Sequence, residues 1–305
     1  MIWEWVNPAR KAVWPLIAAA YVISCCIAAI IVWRMQPGFF LGLPAVVLLI
    51  VALSVTLSFA CAGQWFVHNH FPRTDFLAHN EVGGIIMGVA GTVFGVVLGF
   101  LTVVAWQQFT DARQLVALES SAATDAWHAA VGLPYADRLR LRSDVLQYAE
   151  LMVGSEWPQM RHGGVDPQAD LVVMDAIATV GTIRAHSFMQ SNSQFETWQQ
   201  LNVLHDARLR RVSANAEGIS GFEWLILTIA GICVICFCWL FGIAKPKVHL
   251  LMTGIVTVLL TSLLVLLFEL QFPFRSDLRV PASTWIGAVK HIHAMQTGSQ
   301  QGMRM

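Results

Sequence analysis

"GGIIMGVAGTVFGVVLGF", residues 83–100, carries six glycines and no charge, inside an uncharged run from Val82 to Gln108. Glycine weakens a helix in water by about 1 kcal/mol relative to alanine. The stretch therefore makes sense as one helix only where the solvent is lipid and the glycines face something that approaches closely. On a helix of 3.6 residues per turn, Gly84, Gly88, Gly91, Gly95 and Gly99 fall within an arc of about 80°. No hydrophobic effect drives helices together in a bilayer, and small residues that let backbones touch supply the association instead. The five glycines are thus read as a helix-packing interface, either within one subunit or between subunits.

Working outward, the rest of the chain agrees with a membrane setting. Of 305 residues, 56% are hydrophobic and 12% charged, where soluble domains carry about 25% charged residues. Five segments reach the length of about 20 apolar residues that spans a bilayer: Val13 to Trp33, Phe39 to Phe66, Val82 to Trp106, Phe222 to Ala244 and Val248 to Leu270. Tryptophans 14, 33, 65, 106 and 224 sit at their ends, where the ring prefers the headgroup zone. The first run is too long for a secretory signal and no A-x-A-like site follows it, so it is read as a retained anchor. Cys25, Cys26, Cys61, Cys233, Cys236 and Cys238 all fall in expected spans, where small apolar packing residues are the plainer reading than disulfides.

Between spans three and four lies the one long polar segment, Gln107 to Ser220, with 13 acids, 9 arginines and no lysine. That balance shows no nucleic-acid footprint. Its start continues the third span without a breaker as far as Gly132 and Pro134, so the third helix projects beyond the bilayer. "YADRLRLRSDVLQYAELMV" follows at helical spacing, "GSEWPQMRHGGVDP" reads as a loop, and two further helices are expected over 168–184 and 194–217. The fold class is all-α: a polytopic membrane protein of about five transmembrane helices with a helical extramembrane domain inserted between spans three and four. The expected division is 1–106 and 221–275 for the membrane spans, 107–220 for the helical domain and 276–305 for a C-terminal tail.

Basic residues in short flanks set orientation. An inside N-terminus places Arg10, Lys11, Arg73, Lys245 and Lys247 in the cytoplasm and leaves Arg34 alone in the opposite short loop. The expectation is a bacterial inner membrane with the helical domain in the periplasm.

Thr92 lies beside the glycine groove, and Thr253, Thr257 and Thr261 recur every four residues in the fifth span. All four are candidate pore-lining residues, and all four are equally candidates for hydrogen bonds within or between helices. Glu269 and Glu223 are the acids nearest the hydrocarbon. His68, His70, Asp75 and His79 cluster in one loop and His291 and His293 in another, but no metal-binding template fits them. No Walker loop, G-x-S-x-G, H-E-x-x-H or Rossmann fingerprint occurs. No catalytic residue, cofactor or metal is therefore expected, and the chain is not read as an enzyme.

With these residues laid out, the chain resembles the bacterial membrane family of unknown function whose domain is termed bestrophin-like. The resemblance rests on "HNEVGGIIMGVAGTVFGVVLGF" with the following "WQQFTDARQLVALESSA", the break at "VGLP", "DARLRRVSANAEGISGFEWLIL" before the fourth span, and "FELQFPFRSDLRVP" after the fifth. It covers residues 45–285. Bestrophins are anion channels built as rings of subunits, so the resemblance implies a homo-oligomer whose partners are itself, the bilayer and small anions. It also implies a cytoplasmic helical domain, opposite to the side given by the flanking charges. The competing expectation is a non-conducting scaffold or sensor whose helical domain binds a partner or signal.

Overall fold

The structure, a computed structural model, describes residues 42–71, 76–77 and 79–302. The first expected span, Val13 to Trp33, lies outside them, as do Cys25, Cys26 and Asp75. The helices in chain order are α1 (Ala45–His70), α2 (Asn80–Ala129), α3 (Tyr135–Leu151), α4 (Trp157–Met160), α5 (Pro167–Thr182), α6 (Phe188–Ala216), α7 (Gly221–Cys238), α8 (Pro246–Leu270) and α9 (Ser283–Gly302). No strand occurs among the described residues, and the fold is the expected all-α membrane architecture. Four of these helices, α1, α2, α7 and α8, are long and apolar enough to cross a bilayer.

The chain divides into two compact units, Met1–Val103 with Ile219–Leu267, and Val104–Gly218 with Phe268–Met305. The 50-residue helix α2 belongs to both.

In the first, membrane unit, the ends of the spans follow local chemistry. Pro44 occupies the N-cap of α1, so this helix begins at Ala45 rather than at Phe39: proline is tolerated at a helix start and not inside one. Helix α7 opens with a capping box, in which the Ser220 hydroxyl accepts from the Glu223 N–H at 3.3 Å and the Glu223 carboxylate from the Ser220 N–H at 2.9 Å. Glu223, an acid at the mouth of a span, thus satisfies helix-end donors. The same helix stops at Cys238, short of the expected Ala244. Here the Asn80 side chain clamps Gly242 like a peptide group, donating to its carbonyl at 2.8 Å and accepting from its N–H at 2.9 Å. A Cβ at Gly242 would stand 2.6 Å from the Leu77 nitrogen, so the turn packs backbone against backbone. Trp239 lies flat against Gly63 of α1 and donates from Nε1 to the Ala60 carbonyl at 3.1 Å.

In the second, extramembrane unit, α3 packs on α5, α5 on α6, and α9 on α3. Asp166 caps α5 by accepting from the Gln168 N–H at 2.9 Å, and Ser187 caps α6 by accepting from Gln190 at 3.2 Å. Two expectations need correction. The segment from Gly154 to Met160, read as loop, is helical: α3 runs into a π-turn over Met152–Glu156 and on into α4. The wide turn lets Pro158 sit in a fresh first turn, where its missing N–H costs nothing. The chain then reverses at Gly163, which has φ +79° and lies against the Arg275 guanidinium, a backbone state and a space that only glycine suits. The C-terminal tail contains a full helix, α9, which buries Trp285, Ala288 and Ile292.

Candidate functional site: the glycine face of α2 and a buried ion network

Within the membrane unit α2 presents two unlike faces. Phe94 and Leu98 are buried, at 6% and 1% exposure, and a Cβ on Gly231 of α7 would meet the Phe94 ring at 3.7 Å. The Phe94 ring thus packs beside Gly231. The adjoining face carries the stripe. At Gly84, Gly88, Gly91, Gly95 and Gly99, no described atom outside the local helix comes within 4 Å of the place a Cβ would occupy. The groove is open as far as the described residues go.

Thr92 is exposed beside that groove, and its hydroxyl donates to the Gly88 carbonyl at 2.7 Å. The threonines of α8 are placed differently. Thr253 is 2%, Thr257 0% and Thr261 4% exposed. Thr253 donates to Gln64 Oε1 at 2.8 Å, Thr261 to the Thr56 hydroxyl at 2.9 Å, and Thr257 back to the Thr253 carbonyl at 2.8 Å. Thr253 and Thr261 thus bond across a seam between α8 and α1 of the same subunit, while Thr257 bonds back within α8. The partner Gln64 and the neighbouring His249, buried at 7% and 6%, escaped the sequence reading. The His249 ring nitrogen Nε2 lies 2.9 Å from the Cys238 carbonyl.

The extramembrane unit holds an ion network that sequence reasoning also missed. Glu119 (α2), Glu156 (π-turn) and Arg211 (α6) are completely buried and Arg208 is 3% exposed. Arg211 grips Glu119 with one edge of its guanidinium, Nε to Oε2 at 2.5 Å and Nη2 to Oε1 at 3.0 Å, and reaches Glu156 at 3.2 Å. Arg208 donates to Glu156 at 2.8 Å and to the Asp166 carbonyl at 3.0 Å, while the Asp166 N–H donates to Glu156 at 2.7 Å. The Tyr148 hydroxyl completes the set with a hydrogen bond to Glu119. Two buried carboxylates face two buried guanidinium groups, so the cluster is neutral, as buried charge must be to avoid a prohibitive desolvation cost. Burial, and then the Glu119 charge, push the Tyr148 phenol well above its ordinary value. Burial alone would lower Arg211, but the attraction of Glu119 and its hydrogen bonds outweigh this and raise it. Arg208 is raised in the same way, with Tyr148 and Glu156 offsetting burial.

The His291 ring lies beside that of His128, with centroids 5.9 Å apart. His70 faces the Phe66 carbonyl of its own helix, while His293 pairs with Glu150 at 3.3 Å. Among the described residues, no three of His, Cys, Asp and Glu gather as metal ligands. Cys61, Cys233, Cys236 and Cys238 form no disulfide among the described residues.

The chain matches the family described as the Bestrophin-like domain over residues 54–284. It belongs to the Bestrophin-like domain family. Solved structures agree on the fold. A bacterial bestrophin homologue from Klebsiella pneumoniae, solved by zinc phasing, superposes with a TM-score of 0.60 at 13% identity, covering 79% of this chain and 97% of the other. A point variant of the Klebsiella homologue gives 0.59 at 16% identity, with 80% and 98% covered. A variant described only as a membrane protein gives 0.61 at 14% identity, with 81% and 98% covered. No curated protein matches the chain. This Bestrophin-like chain is accordingly a membrane protein with the fold of the bacterial bestrophin homologues.

Proposed function

We propose that this chain is one subunit of a homo-oligomeric ring in a bacterial inner membrane, that copies of α2 meet through the glycine face around an axis, and that the axis is a passage for small anions. The observation that carries this reading is the empty space at Gly84, Gly88, Gly91, Gly95 and Gly99. Five glycines in register weaken a helix for no gain within the described subunit, whereas in lipid they favour close approach of another helix. Thr92 is the polar step on this face, and Thr253, Thr257 and Thr261 serve instead as hydrogen-bonding seams. The extramembrane unit is the vestibule or gate. Basic flanking residues support a periplasmic position for it.

The test is ion flux from liposomes containing purified protein. Thr92→Cys is expected to conduct like the parent and to lose most of its flux once a bulky thiol reagent is attached. Absence of flux from the parent would sink the channel reading and leave the scaffold or sensor in its place.

A further inference from the structure

Helices α1 and α8 leave a second groove between them, away from the glycine face. It is an open cleft of about 620 Å³ with almost wholly apolar walls. Leu57 and Cys61 of α1 form one side, and Leu250, Leu251, Ile255 and Leu259 of α8 form the other, with Gly254 as its floor. A Cβ at Gly254 would stand 3.9 Å from Leu57, at ordinary contact distance, and the glycine leaves this part of the wall without a side chain. Its single charged member is Lys247, exposed at the start of α8.

Dimension and charge together define the occupant. From Lys247 to Leu259 the helix rises roughly 18 Å, at about 1.5 Å per residue, which matches the depth of one leaflet in a hydrocarbon core of about 30 Å. The cation therefore lies at headgroup level and the apolar walls at acyl-chain level. A cleft of this polarity suits a chain lying along it with an anion at one end, and basic groups between membrane helices select anionic headgroups. We propose that the cleft between α1 and α8 is a binding site for one anionic phospholipid, with an acyl chain seated over Gly254 and the phosphate paired with Lys247.

The probe is protein reconstituted in phosphatidylcholine vesicles containing a minor fraction of phosphatidylglycerol, with the retained lipid read by native mass spectrometry. The parent is expected to retain phosphatidylglycerol about fivefold above its share of the vesicle, the factor that one lysine at the surface supplies. Lys247→Glu should abolish the enrichment, and Lys247→Arg should keep it. Gly254→Leu should lower retention of both lipids by filling the floor. A parent with no enrichment, or enrichment that survives in Lys247→Glu, overturns the site. So does efficient disulfide cross-linking between copies of Ile255→Cys in the membrane, which would make the cleft an interface with a second copy.

Discussion

Arg211 shows at the scale of one residue how the extramembrane unit is held. Its guanidinium is fully buried and answers two carboxylates on two other segments, so it ties α6 to α2 and to the π-turn at once. Removing one partner from a buried ion pair costs about 3–5 kcal/mol because the other charge is left unpaired. Arg211→Met is expected to lower the stability of this unit by about that amount, measured by denaturant or thermal unfolding of the solubilised protein. Tyr148 adds a dependence on pH. Its phenol holds its proton above the ordinary value of 10.0, so its contribution is complete below about pH 10 and is lost as pH rises from there toward the raised value. The melting temperature should therefore fall more steeply between about pH 9 and about pH 11 in the parent than in Tyr148→Phe. Equal slopes in both proteins would show that the tyrosine plays no such part. The sequence held a signal for this cluster. Leu201, Leu204, Arg208, Arg211 and Asn215 repeat at alternating intervals of three and four along α6, and all are buried. Arginine is rarely placed on such a stripe unless paired, and a reading that assigns charges to solvent passes over it.

At the scale of elements, the apolar spans were legible because length and hydropathy alone decide them, and the third helix was legible as far as Gly132 because nothing in between breaks it. Helix ends were less so. The Asn80 clamp on Gly242 brings together residues far apart in sequence, and no local signal at Cys238 announces that α7 must stop there. The π-turn was hidden for a related reason: Gly154 and Pro158 are loop formers by composition, and only the pull of Glu156 toward Arg208 and Arg211 makes the segment helical. Helix α9 was overlooked because its apolar face, with Trp285 and Ile292, is short and flanked by polar residues. The glycine face belongs to this scale as well. A side chain begun at position 91 or 95 enters the groove, where a Cβ meets no described atom within 4 Å. Gly91→Leu and Gly95→Leu are thus expected to leave the fold intact, as read by melting temperature, while shifting the particle to lower mass. Unchanged mass in both variants would contradict an intersubunit role for the stripe.

On the scale of the whole molecule, the family and the all-α membrane architecture were readable from the order of four sequence stretches, and the match over residues 54–284 bears that out. Partition of the threonines was not readable, since Thr92 and the α8 series look alike in sequence and differ only in what packs against them. What the fold offers is a long helix with one face packed on its own subunit and another face that no described residue covers. That second face is the basis of the proposed ring, and subunit number tests it most directly. The decisive measurement is the mass of the particle in nanodiscs, corrected for lipid and scaffold. The expected result is a closed assembly of four or more copies, which surrounds an axis with α2 helices and leaves room for a passage along it. A monomer or dimer would contradict it and return the chain to the role of membrane-anchored scaffold or sensor.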